Sequence, residues 1–346
     1  MSSGQDHPVV TPPARRMPWI GAVLLLVAIA VPFVVRNPTT LNLVILVLMA
    51  AQLGVAWNLL GGYAGQVSLG HAAFYGVGAY TSSLALMKFG INPWLGMLGG
   101  GAVAAVLSLA FGWGCFRLKG HYFAMATIAV AELVQIVFNN WDYAGSAVGL
   151  TLPMDRTGWL WMQFNDKQPY YWLALGLLAL TLGATSLIER SHIGYYLRAI
   201  KDEPDAARSI GIDISRYKQV ALCTSAFFTA MGGSLYAQKE LYIDPPSVLS
   251  TALSIKMALV SILGGIGTLF GPVLGSAVLT TIEELSRAYF GGTGSGIDTI
   301  LYAALIIAIS VFYPSGVVGW WRAWSLRRRA RQLGGDMTAA AEEALQ

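Results

Sequence analysis

ERSHIGYYLRAIKDEPDAARSIGIDISRYK, residues 189–218, decides how the chain is read. It carries Arg190, Arg198, Lys201, Asp202, Glu203, Asp205, Arg208, Asp213, Arg216 and Lys218, and it lies between two long apolar halves. Over its 346 residues the chain is 55% hydrophobic and 12% charged. Soluble domains carry roughly 25% charged residues, so this composition belongs in a bilayer. Several apolar runs approach or reach the ~20 residues that cross a hydrocarbon core. They are continuously apolar and do not alternate, which argues against a membrane barrel. The fold class is an all-α polytopic membrane protein, with residues 189–218 as a polar insert.

Working outward from the insert, helices are expected at about 19–35, 41–60, 67–88, 93–116, 121–139, 170–188, 217–238, 252–270, 272–290 and 297–313. Asn37-Pro38, Asn92-Pro93 and Gly271-Pro272 are turn signals between runs. Basic residues stay preferentially on the cytoplasmic side. With the N-terminus inside and the helices alternating, fifteen of the 22 Lys and Arg fall in inside segments: Arg15, Arg16, Arg117, Lys119, six in the insert and five in the tail. Both termini are therefore expected in the cytoplasm, with an even number of helices. Ten fits; eight follows if two glycine-rich segments are re-entrant. Five helices on each side of the long outer loop 140–169 would form inverted five-helix repeats, as in many transport pathways.

The expected organisation is a disordered cytoplasmic N-terminus (1–18), a membrane domain (19–316) with the insert inside and loop 140–169 outside, and a basic cytoplasmic tail (317–346). Arg15 and Arg16 precede the run from Trp19 to Val35 without a small-x-small cleavage site, which reads as an uncleaved first helix. The tail arginines 322, 327, 328, 329 and 331 suit anchoring at the lipid surface. There is no basic face of the kind that binds nucleic acid. Trp141, Trp159 and Trp161 in the outer loop suit either an interfacial anchor or contact with an external partner. Cys115 and Cys223 lie in apolar segments and read as packing residues rather than a disulfide framework.

Two glycine-rich stretches stand out within the membrane. The first is NLLGGYAGQVSLGHAAFYGVGAY, residues 58–80, where Gly65, Gln66, Ser68, Gly70 and His71 combine small residues with hydrogen-bonding groups. The second is SILGGIGTLFGPVLGS, residues 261–276, with Gly264, Gly265 and Gly267. Unwound backbone at membrane depth survives where it is buried or lines a cavity. Both stretches thus read as substrate path or as close helix packing. Glu132 lies well inside the fifth helix, where a charged residue is a functional candidate; it could pair across the bundle or meet a polar part of the substrate. Lys256 reads as a snorkelling residue near an outer helix end, and Glu283, Glu284 and Arg287 as ion pairs on a solvated face.

Enzymatic readings lack parts. His7, His71, His121 and His192 form no H-E-x-x-H and no metal-ligand spacing with cysteine. No lysine follows a glycine directly, so the G-K-[ST] of a phosphate loop is absent. The sequence points to no catalytic residue, metal or cofactor. Energy would have to arrive from another subunit. Asp202 to Gly211 reads as a short helix that could receive it: Asp202 as cap, Pro204 in the first turn, Glu203 and Asp205 at the positive end, Arg208 further on, and Gly211 as the stop. Ala206, Ala207 and Ile210 are expected on one face, fit for a shallow groove on a soluble partner or for the protein's own bundle.

Over roughly residues 40–320 the chain resembles the LivM-type permeases of branched-chain amino acid ABC importers. The resemblance rests on GYAGQVSLGHAAF (62–74), on RAIKDEPDAA (198–207) with Gly211 and Lys218, and on GGIGTLFGPVLG (264–275). It implies a docking loop for an ATPase, matched here by Glu203, Ala206, Ala207 and Gly211; Pro204 beside Glu203 departs from that pattern. It further implies a bacterial inner-membrane location, a second related permease, two ABC ATPase subunits and an extracytoplasmic solute-binding protein that sets specificity. Branched-chain or related amino acids are the implied cargo. The competing reading is a self-sufficient channel or carrier for a small solute such as urea.

Overall fold

The computed structural model describes residues 37–118, 120–155 and 157–290, with isolated positions 32 and 304. The expected helices at 19–35 and 297–313, both tails and the pairing of five-helix halves thus lie wholly or partly outside the described residues.

Asn37 and Asn92 begin two helices in the same way. Each side chain accepts from the backbone N–H two residues on, at 2.9 Å, and proline follows where no donor is needed. These helices are α1 (Pro38–Asn58) and α3 (Pro93–Cys115). Between them α1 widens into a π-helical turn, Leu59–Tyr63, and the chain runs without helix to α2 (His71–Phe89). α4 is His121–Asn139 and α5 is Gln168–Arg190. The insert folds as α6 (His192–Asp202) and α7 (Pro204–Ser209). Then come α8 (Ile214–Glu240), the short α9 (Pro245–Val248), α10 (Thr251–Gly265) and α11 (Gly271–Phe290).

Among the described residues, six segments are long and apolar enough to cross a membrane: Pro38–Tyr63, Pro93–Cys115, His121–Asn139, Gln168–Arg190, Ile214–Glu240 and Pro245–Gly265. α2 and α11 lie beside them. α2, α3 and α8 form the tightest packing. A Cβ at Gly78 would come within 2.1 Å of the Ala230 carbonyl, and one at Gly233 within 2.0 Å of the Tyr75 carbonyl, so the α2 and α8 backbones touch. Polar side chains tie the helices across the bundle. Ser234 Oγ donates to Gly78 O at 2.9 Å, Ser261 Oγ to Gly54 O at 2.8 Å, and Gln52 Nε2 to Phe228 O at 2.8 Å. Each bond satisfies groups that hydrocarbon would leave unpaired.

The structure corrects several helix limits. The helix expected from residue 67 starts at His71, and the one expected to reach 270 stops at Gly265. In both places glycines adopt positive φ (Gly65 +67°, Gly265 +128°, Gly267 +74°), which a helix does not accommodate. Residues 192–202, expected as loop, are helical because Gly194, Leu197 and Ile200 form a buried three-residue stripe. The 140–169 loop is not a regular amphipathic segment. Leu150 and Thr151 pair antiparallel with Ile243 and Tyr242, the small departure from an all-helical fold. Trp159 packs edge-on against Phe164, and its carbonyl accepts from Trp94 Nε1 at 2.9 Å. Lys256 does not snorkel freely; it pairs with Glu283 at 2.5 Å. Arg287 bonds Glu284 at 2.8 Å and Glu283 at 3.3 Å, as the spacing predicts.

Candidate transport site and coupling hairpin

Residues 64–70 are held from several sides. Trp57 Nε1 donates to Ser68 O at 2.7 Å, and Leu69 N donates to Thr127 Oγ1 of α4 at 3.1 Å. His71, fully buried, spans two hydroxyls. Ser225 Oγ of α8 donates to Ala56 O at 2.6 Å, so it accepts from His71 Nε2–H at 2.8 Å. Nδ1 then accepts from the Ser68 hydroxyl at 3.1 Å. This chain of donors places a proton on His71 Nε2. At the start of α2, Ala72 N donates to Ser254 Oγ of α10 at 2.8 Å. α1, α2, α4, α8 and α10 therefore meet around one non-helical segment.

The second break, residues 266–270, lies against the first. Asn58 Nδ2 donates to Thr268 O, and Asn58 Oδ1 accepts from Gly267 N, both at 2.9 Å. The structure thus brings the two glycine-rich stretches together. Ser68, Gly70 and His71 are buried with their polar groups engaged, and Gly264 and Gly265 are buried. Gly65 is exposed, and Gln66 and Gly267 are half-buried. Glu132 is elsewhere. It lies on the outward stripe of α4 with Tyr122, Met125, Leu133 and Ile136, and it accepts a hydrogen bond from Thr251 Oγ1 at the start of α10. Within the apolar 18-residue window of each span, only 22% is buried in α4, against 78% in Pro38–Tyr63.

The insert is a helical hairpin. Asp202 ends α6 rather than capping the next helix, and Glu203, extended at φ −151°, occupies the cap position of α7 without a side-chain cap bond. Pro204 at the first position forces this arrangement, since it disfavours helical φ and ψ in the residue before it. α7 stops at Gly211, φ +86°, where Gly211 N donates to Arg208 O at 3.0 Å and Ile212 N to Ala207 O at 3.1 Å. This is a Schellman stop, with glycine at its left-handed position. The expected shared face of Ala206, Ala207 and Ile210 divides: Ala207 is buried against the protein's own bundle, while Ala206 and Ile210 are exposed. Asp205 and Arg208 form an exposed ion pair at 3.6 Å.

Asn58, Thr127, Ser225 and Ser254 are the site residues that sequence reasoning missed. Asn58 carried a weak signal as a polar residue at the head of the glycine-rich stretch. The other three bond to partners 58 to 182 positions away and gave none.

Long apolar helices joined by cross-helix hydrogen bonds define a multi-pass helical membrane protein. Residues 39–310 match the family described as the branched-chain amino acid transport system permease component. The chain belongs to that family. It is 28% identical over 318 residues to the high-affinity branched-chain amino acid transport system permease protein LivM of Escherichia coli K12, covering 85% of this chain and 73% of that protein. It is 26% identical over 289 residues to LivH of the same organism, with 78% and 91% covered. Similarity extends to BraD of Pseudomonas aeruginosa at 23% over 287 residues, again with 78% and 91% covered.

Proposed function

We propose that this permease is one membrane subunit of an ATP-driven importer for branched-chain or related amino acids in a bacterial inner membrane, with both termini and the α6–α7 hairpin in the cytoplasm. The observation that carries the reading is the hairpin itself. α7 presents Glu203, Asp205, Ala206, Arg208 and Ile210 to solvent, stopped by Gly211 and backed by Ala207. A two-turn helix is unstable alone, so the buried Ala207 and the Schellman stop hold it ready for a partner. That partner is an ABC ATPase, one of two, and hydrolysis takes place there.

The substrate path runs beside the two glycine breaks, where Gly65, Gln66 and Gly267 reach the surface and His71, Ser68, Gly70, Gly264 and Gly265 form the support behind them. A second related permease covers the outward stripe of α4. A carboxylate facing lipid at membrane depth is costly, and Glu132 on that stripe is better placed against protein or water. A solute-binding protein delivers the amino acid on the side of the Leu150–Thr151 ribbon.

Uptake in proteoliposomes carrying the permease pair tests this reading. Branched-chain amino acid uptake should require the ATPases and external binding protein, and should fall with Gly211→Val. Uptake persisting in full without ATPase would make the chain a self-sufficient channel or carrier.

A further inference from the structure

Beside its buried stripe, the hairpin is fastened to the membrane helices by two charged side chains in the second half of α6. Arg198 Nη2 bonds Glu189 Oε1 at 2.6 Å, tying α6 back to the end of α5, with the Glu189 side chain buried. One turn further on, Lys201 Nζ donates to Gly62 O at 2.9 Å. Gly62 lies in the π-helical turn that ends α1, where carbonyls lack intrahelical partners and a cation is favoured. The lysine lies against both glycine breaks. A Cβ at Gly65 would come within 3.0 Å of Lys201 Cγ, and one at Gly267 within 3.2 Å of Lys201 Nζ. The same two breaks are joined by the paired bonds of Asn58 to Gly267 and Thr268. Lys201 is two residues from Glu203, where α7 begins to be capped.

We propose that Lys201 is the positioning residue through which movement of α7 reaches the transport path, shifting both glycine breaks as one body through Gly62 and Asn58. The inference rests on α7 being the ATPase-docking helix. A side chain at 65 would crowd the lysine stem, and one at 267 its ammonium. The ammonium holds the end of α1, and Asn58 carries the displacement to the start of α11. A lysine serving only to satisfy a helix end would leave coupling untouched when replaced; a transmitting lysine would not.

The test uses the full complex in proteoliposomes, with the permease pair, ATPases and binding protein. Lys201→Met keeps the stem and removes the donor; Lys201→Arg keeps a charged donor. Amino acid imported per ATP hydrolysed is measured, together with the distance between spin labels at Ile210 and Val67, both exposed. In the wild type this distance should stay constant through the nucleotide cycle. Lys201→Met should keep ATP hydrolysis, lower transport per ATP about tenfold, in keeping with loss of a charged hydrogen bond, and make the distance vary with nucleotide. Lys201→Arg should recover most of the ratio. A Lys201→Met complex with wild-type transport per ATP and a constant distance would overturn the proposal. Should that variant not assemble, Asn58→Leu separates the breaks while leaving α6 attached, and a wild-type ratio there would overturn it equally. Failure of the wild type to bind or use the ATPases would instead remove the functional reading beneath it.

Discussion

Gly211 shows how one residue sets the behaviour of a short helix. Its φ of +86° is left-handed, and open space surrounds the position a Cβ would take. A substitution there acts through the backbone alone. Gly211→Val should cost about 1–2 kcal/mol, enough to weaken ATPase capture about tenfold in a titration by calorimetry, while Gly211→Asn, which tolerates that conformation, should lose far less. His71 behaves differently. Removing its ring leaves Ser68 and Ser225 short of a partner inside the bundle, so His71→Ala should cost about 1–3 kcal/mol and lower the thermal midpoint of the purified permease. The sequence marked His71 as a polar group beside glycines but could not say whether it faces a path or a partner. The deciding hydroxyl, Ser225, is 154 positions away.

Among the elements, those with strong chemical boundaries were legible. The Asn-Pro turns at 37–38 and 92–93 place the starts of α1 and α3 within a few residues of expectation. The breaks were legible as composition but not as limits, because glycine fits both a tightly packed helix and an unwound turn. α6 was missed although Gly194, Leu197 and Ile200 recur at helical spacing; its many charges read as loop. That stripe attaches the hairpin to the bundle. Leu197→Ala should cost about 2–5 kcal/mol locally and increase protease cleavage within residues 189–218 while the membrane helices remain folded. α4 calls for the opposite result. Glu132→Gln lies on an outward stripe and should change the stability of the isolated chain by less than about 0.5 kcal/mol, yet reduce uptake by the assembled importer.

At the scale of the whole molecule, the bundle is built for close approach and small displacement. Backbones touch at Gly78 and Gly233, and serine and asparagine side chains bridge helices whose sequence positions are far apart. The apolar character, the polar insert and the absence of a phosphate loop were all readable from residues. The convergence of both glycine breaks under the insert was not, since it depends on contacts between residues 58, 62, 201 and 267. This convergence places the polar insert directly on the least regular part of the described helical bundle. A cysteine replacing the exposed Ile210 tests that arrangement most directly, because native Cys115 is buried and Cys223 half-buried. In the reconstituted complex it should cross-link to a cysteine in the ATPase groove, at a rate that changes between ATP-bound and nucleotide-free states. Intact ATP-driven uptake with no cross-link in either state would contradict the account.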